Sequence, residues 1–131
     1  MRRRDMSQSD DSKARAAIER ALAEGDWPAL ERLAQAAIHA NRSDAFAWQS
    51  LAHAAWATGR PEAARPAFLR AQQHAWADAQ FLLTLGDALA QCGWTSDALA
   101  SFDQVIALAP EDFSGHAAKA NLLFTLGRVD E

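Results

Sequence analysis

Apolar and polar positions follow a helical periodicity along this chain, and the pattern repeats every 34 residues. In the best-defined stretch, residues 79–112, apolar residues recur three and four positions apart, stop at Gly93 and resume as far as Pro110. This spacing predicts two helices joined by a tight turn. Glycines and aspartates mark the same frame at 34-residue intervals, namely Gly25, Gly59, Gly93 and Gly127, and Asp10, Asp44, Asp78 and Asp112. Such a period predicts an all-α solenoid of antiparallel helix hairpins.

Applied to the whole chain, the frame predicts seven helices and a polar N-terminal tail. Residues 1–9 lack periodicity and are expected to form a mobile tail, while residues 10–131 form the domain. Its repeats span about 11–44, 45–78 and 79–112, followed by a half repeat over 113–131. Asp10 or Asp11 is the predicted N-cap of the first helix. Pro66 lies a full turn inside the fourth helix and predicts a kink or a late start there.

The interior of each hairpin is predicted to depend on small residues where two helices approach closely. A bulky side chain at these positions would push the helices apart. In the last helix, His116, Ala120 and Leu123 form the predicted inward stripe. The positions of close approach are Ala52, Ala64, Gly86, Ala98 and Ala120.

These hairpins resemble the tetratricopeptide repeat. The resemblance is strongest in the third hairpin and covers about residues 11–131. It implies a right-handed superhelical solenoid that binds a peptide in a concave groove. The residues that carry the resemblance are Trp48, Leu51, Ala52, Ala55, Gly59, Ala64, Phe68 and Ala71 in the second hairpin, and Leu85, Gly86, Leu89, Gly93, Ala98, Phe102, Val105 and Pro110 in the third.

The two ends depart from the family's pattern. The first hairpin has Ile18 where the third has Gly86, and Leu30 where the third has Ala98, so it is expected to be a degenerate capping repeat. The fourth unit lacks its second helix, although a solenoid normally ends in a polar cap. Two explanations stay open: the chain is a fragment of a longer protein, or its open C-terminal end pairs with a second copy.

The resemblance also implies which residues line the groove, because the first helix of each hairpin faces it. Trp56 is the expected anchor, since Trp dominates binding hot spots, and Asp87 is expected to receive a backbone amide or a basic side chain. The apolar members have an alternative role, which is packing against their neighbours. The candidate groove residues are Arg15, Phe46, Gln49, His53, Trp56, Leu83, Asp87, Gln91, Asn121 and Phe124.

Composition and charge limit the chemical classes of binding partner that are expected. The net charge of −4 argues against nucleic acid. Residues 79–112 carry five acidic side chains and no basic one, so a neutral or basic, partly apolar peptide is expected. Arg15 is the only cation among the inner positions, which argues against the acidic chaperone tails that some family members clamp.

No catalytic or metal-binding constellation is predicted. The four histidines lie 14 or more residues apart, and the glycines are periodic helix stops rather than a phosphate loop. The single Cys92 excludes an internal disulfide, and no apolar run is long enough to span a bilayer. We therefore predict a non-enzymatic, cofactor-free, cytoplasmic interaction module.

Two alternatives to this function stay open. One is a substrate-recruiting N-terminal arm of a larger enzyme, like the arrays that precede the catalytic domain in bacterial glycosyltransferases and sulfotransferases. The other is homo-oligomerisation through the C-terminal helix.

Overall fold

A computed structural model of the chain describes the backbone of residues 2–127 and the side chains of residues 12–127. The described residues form seven helices and no strand, as predicted. The all-α, helical-repeat fold class is thereby confirmed. The helices are α1 (Arg2–Glu24), α2 (Trp27–Ala40), α3 (Ala45–Ala57), α4 (Pro61–His74), α5 (Ala79–Gln91), α6 (Thr95–Leu108) and α7 (Phe113–Thr125).

The periodic aspartates mark the starts of α3, α5 and α7, and the periodic glycines follow the last turns of all four odd-numbered helices. The carboxylates of Asp44, Asp78 and Asp112 accept hydrogen bonds from backbone N–H groups in the first turns of α3, α5 and α7, which satisfies donors that lack an intrahelical partner. After the last turns, the glycines take positive φ angles of 68° at Gly25 and 86° at Gly93. L side chains rarely adopt this conformation, so the period records where each helix must stop.

The first helix begins earlier than predicted. It starts at Arg2 and runs through Asp10 and Asp11, so the prediction that one of them is the N-cap is wrong. Several residues of this segment have good helix propensity, and they extend the helix despite the lack of apolar periodicity. The mobility predicted for residues 1–9 stays a prediction. The end of the predicted half repeat, residues 128–131, lies outside the described residues.

Pro66 does not delay the fourth helix. Helix α4 begins at Pro61, in the first turn, where a missing N–H costs nothing, and Pro66 lies inside the same continuous helix. The predicted late start is therefore wrong, and the predicted kink stays a prediction. Pro66 is exposed, so water can solvate the carbonyl group that its missing N–H leaves without a partner.

The chain divides into two compact units, Met1–Ala71 and Gln72–Glu131, with the boundary inside α4. In the first unit, Ile18 and Ala21 of α1, Leu30 of α2 and Ala54 of α3 form a buried cluster. In the second unit, α5, α6 and α7 contact one another. Its buried apolar residues include Leu82, Leu85, Leu89, Ala98, Phe102, Val105 and Leu123.

In the second unit, Phe102 of α6 packs closely against Gly86 of α5, where the sequence predicted a close approach of two helices. A Cβ atom at Gly86 would lie 2.5 Å from Cε1 of Phe102, and Phe102 is only 1% exposed and has no room to retreat. Small residues are also fully buried at Ala52, Ala64 and Ala98. Any larger side chain at Gly86 would overpack this core.

The inward stripe predicted for α7 is correct at only one of its three positions. Leu123 is buried, but His116 and Ala120 are exposed. Gly115 instead makes the close contact, because a Cβ atom there would lie 2.9 Å from Cγ1 of Val105. Helix α7 therefore presents a different face to α5 and α6 from the one that the repeat frame predicted.

Candidate functional site

In the first unit, two of the candidate groove residues, Arg15 and Phe46, pack against each other between α1 and α3. Arg15 of α1 places its guanidinium carbon 4.0 Å from the ring centroid of Phe46 on α3, a cation–π contact. Its Nε atom also lies 3.3 Å from Oε1 of Glu19. Phe46 and Leu22 are partly buried against the Ile18 cluster. Between α1 and α3, the apolar side chains thus pack on their own neighbours.

The other three candidates of this unit differ in exposure. The ring of His53 packs edge-on against Phe68, with centroids 5.2 Å apart and planes at 86°, and burial lowers the pKa of His53 below its ordinary value. Gln49 is half-buried. Trp56 is 41% exposed, so the side chain predicted as an anchor has accessible surface.

In the second unit, an open cleft of about 300 Å³ separates α5 from α7. Three residues that the sequence predicted as groove-lining meet there: Asp87 and Gln91 from α5, and Asn121 from α7. Residues three and four positions apart on a helix share a face, which explains why each helix brings its polar groups to the same side. The remaining lining residues are Ala90, Phe102, Ala118, Leu122 and Thr125.

The polar groups of the cleft have unused hydrogen-bonding capacity. Among the described residues, no hydrogen bond or ion pair engages the side chains of Asp87, Gln91 or Asn121, whereas the Thr125 hydroxyl donates to the backbone carbonyl of Asn121 at 2.8 Å. Burial raises the pKa of the Asp87 carboxyl above its ordinary value. Asp87 is an exposed residue, but its carboxylate has no counterion among the described residues, so a cationic or N–H ligand would stabilise it.

Two predicted residues of the second unit lie outside this cleft. Leu83 is half-buried, and Phe124 is 71% exposed on α7. Sequence reasoning missed Phe113, which is 84% exposed at the start of α7, and it missed Thr125. The signal for Thr125 was present, because it follows Asn121 by four residues and therefore shares its helical face.

A second depression, of about 500 Å³, lies in the turn between α6 and α7. It is lined by one continuous segment, residues 108–112, and its Asp112 carboxylate already accepts a hydrogen bond from the backbone N–H of Ser114 at 2.9 Å. Because its polar groups come from a single turn, the α5–α7 cleft is the better candidate binding site.

Two other kinds of site are absent from the described residues. Within residues 12–127, no group of three or more His, Cys, Asp or Glu side chains is placed to hold a metal ion. Across the described helices, none combines the length and the apolar character that crossing a bilayer requires.

Comparison with known proteins agrees with the resemblance. The family model "Tetratricopeptide repeat" matches residues 47–73 and 79–112, so the suspected family is confirmed at two repeats. A search of curated proteins finds no match. The two matched stretches are tetratricopeptide repeats, and they correspond to the second and third hairpins of the predicted frame.

Solved structures with this fold are similar over most of the chain. PcrH, solved in complex with the chaperone binding region of PopD, has a TM-score of 0.66 and 19% identity, covering 94% of this chain and 92% of that chain. The OM64 tetratricopeptide domain of Arabidopsis has a TM-score of 0.61 and 18% identity, covering 87% and 94%. MamA has a TM-score of 0.65 and 15% identity, covering 97% and 76%. At these identities the likeness concerns the fold.

Proposed function

We propose that this chain is a non-enzymatic interaction module that binds a peptide or protein segment in the concave groove implied by the family resemblance. The observation that carries the proposal is the α5–α7 cleft, where Asp87, Gln91 and Asn121 converge on open space with unused hydrogen-bonding groups. A structure of the same fold, PcrH, was solved with a bound region of another protein, PopD, which supports this mode of use.

Binding in this proposal combines apolar contact with polar groups that fix register. Trp56 supplies accessible aromatic surface in the first unit, and aromatic side chains dominate binding energy at interfaces. Phe46 is a weaker candidate anchor, because its ring already lies under Arg15 and against the Ile18 cluster. The remaining candidates Gln49, His53, Leu83 and Phe124 are proposed as flanking contacts.

Panning a random-peptide display library on the purified protein tests the proposal. We expect enriched peptides that bind with a Kd of about 1 μM, or ~−8 kcal/mol, and that compete with one another for the same site. Trp56→Ala is expected to weaken them. Recovery of no peptide above background would contradict the proposed function, and full affinity in both Trp56→Ala and Phe46→Ala would remove the two aromatic anchors from it.

A second candidate function, self-association through α7, has one specific observation in its favour. Phe113 and Phe124 are 84% and 71% exposed on this helix, and large exposed apolar side chains are typical of protein contact surfaces. Sedimentation velocity over a range of concentrations tests it. A concentration-dependent dimer that Phe124→Ser abolishes is the expected outcome, and a monomer at the highest concentration rejects it.

The cytoplasmic location and the enzyme-arm alternative both stay predictions.

A further inference from the structure

We infer that the α5–α7 cleft receives a cationic side chain, arginine or lysine, of the bound segment, with Asp87 as its counterion. This inference rests on the proposed function and names the chemistry of its partner. Among the described residues, Asp87 is the only charged one that lines the cleft, and no ion pair occupies its carboxylate. A cation is the ligand that this carboxylate lacks.

The shape of the cleft suits a long side chain. Its volume of about 300 Å³ is at the lower end of the range for ligand pockets, too small for a folded element. Phe102, Leu122 and Ala90 supply apolar wall, against which the methylene stem of Lys or Arg packs while its charged head reaches a polar group.

The amide groups complete the recognition. The side-chain oxygens of Gln91 and Asn121 accept hydrogen bonds from ammonium or guanidinium N–H groups, and their NH₂ groups donate to peptide carbonyls. Both side chains line the same cleft as Asp87. A cation therefore finds one charged and two neutral acceptors, whereas none of the described lining residues is a cation that could bind an anionic ligand.

The surrounding charge also favours a cation. Across residues 72–127 of the second unit, Lys119 is the sole Lys or Arg, and its Nζ atom is 2.7 Å from Oδ1 of Asp103. The acidic residues of the same stretch are Asp78, Asp87, Asp97, Asp103, Glu111 and Asp112. The field of this unit thus attracts basic segments and repels acidic ones.

Selected peptides give the first test. Peptides enriched by panning on the wild-type protein are expected to contain Arg or Lys, and Asp87→Asn is expected to weaken them at least tenfold, about 1.4 kcal/mol. The matched control is Glu111→Gln, which removes the same charge from an exposed position of the same unit outside the cleft, and it is expected to change affinity much less. Peptides that lack a basic residue, or that bind Asp87→Asn as well as wild type, overturn this inference while leaving the proposed function intact. Failure to select any peptide overturns both.

A small probe gives a second, independent test. N-acetyl-argininamide, N-acetyl-lysinamide and the neutral isostere N-acetyl-citrullinamide are titrated into ¹⁵N-labelled protein, and the side-chain amide signals of Gln91 and Asn121 are followed. We expect saturable shifts with a Kd of about 1 mM for at least one cationic probe, none for citrulline, and loss of the shifts in Asp87→Asn. The two cationic arms distinguish arginine from lysine as the source. Equal shifts from citrulline, or no shift from either cation, reject the inference.

Discussion

The first unit has a valley between α1 and α3, where Leu22 and Phe46 lie, and the second unit has the cleft between α5 and α7. The two lie at equivalent positions, two repeat periods apart. Side chains fill the valley, whereas the cleft is open. Leu22 lies where Ala90 lies in the second unit, and Phe46 lies where Ser114 lies. Both Leu22 and Phe46 pack on the first unit's core. Ala90, the small counterpart of Leu22, lines a cleft of about 300 Å³. The repeat frame thus sets where a cleft can form, and side-chain volume decides whether it exists.

The cores of the two units also differ in which helix of a hairpin supplies the large side chain and which supplies the small one. The first unit has Ile18 on α1 and Ala34 on α2, both buried, whereas the second has Gly86 on α5 and Phe102 on α6 at the equivalent positions. The large side chain comes from opposite helices in the two units. The departure at Ile18 that suggested a degenerate repeat therefore accompanies a small residue, Ala34, at the position that corresponds to Phe102.

The largest expected effect tests this exchange of the large and the small side chain between the two helices. Phe102→Ala is expected to cost about 3–5 kcal/mol of unfolding free energy, because it removes a fully buried ring and leaves a cavity. Adding Gly86→Ile, which reproduces the pair found in the first unit, is expected to restore part of that loss, since contacting residues couple by ~0.5–3 kcal/mol. Urea denaturation followed by circular dichroism measures both, with Phe102→Leu as a milder variant. Strictly additive effects would contradict the exchange.

Filling the open cleft gives the next largest effect. Ala90→Leu reproduces the residue of the filled valley and is expected to weaken selected peptides at least tenfold, about 1.4 kcal/mol, because the side chain occupies the space that the ligand needs. Isothermal titration calorimetry measures the affinity. Folding stability is expected to stay within about 1 kcal/mol of wild type, so an affinity loss that accompanies unfolding would not support the cleft. Unchanged affinity would place the binding site elsewhere.

Removing the Arg15–Phe46 contact in the filled valley is expected to have a smaller effect, this time on folding stability. Arg15→Ala is expected to destabilise the chain by about 0.5–1 kcal/mol, since the guanidinium lies over the Phe46 ring at an exposed site. Glu19→Gln, which removes only the exposed ion pair to Arg15, is expected to cost at most about 0.5 kcal/mol. Denaturation midpoints compare the two variants with wild type. An effect of Glu19→Gln as large as that of Arg15→Ala would assign the contribution to the ion pair.

The smallest expected effect concerns the pH dependence of stability, through the half-buried His53 of the first unit. Burial lowers the pKa of His53, so the unfolded chain binds its proton more readily than the folded chain. The stability linked to His53 is complete above the ordinary pKa of about 6.5 and declines as the pH falls below it. His53→Gln is expected to reduce the loss of stability between about pH 7 and 5.

The control for this experiment is His116→Gln, because His116 is exposed. Melting temperatures measured across the pH range compare the three proteins. Equal pH dependence in wild type and His53→Gln would show that the burial of His53 makes no contribution to acid sensitivity.

Much of the fold follows from local rules that the sequence states directly. Aspartates placed at N-caps and glycines placed at helix ends, 34 residues apart, fix the bounds of α3, α5 and α7, and the sequence predicts them because capping depends on neighbours within a few residues. The family resemblance predicted that Asp87, Gln91 and Asn121 line the groove, and these three residues line the α5–α7 cleft. Local rules were weaker where periodicity was absent, as at the start of α1.

What the tertiary structure alone decided is which faces stay open and which are covered. Whether the cleft is empty depends on Ala90 and Phe102, which come from different helices, and His116 is exposed because α7 presents Gly115 rather than the predicted stripe to its neighbours. Similarly, Arg15 contacts Phe46 across 31 positions of the chain. The sequence specifies helices through short-range hydrogen bonds, but a cleft is the space left between packed side chains, and that space depends on all the helices that border it.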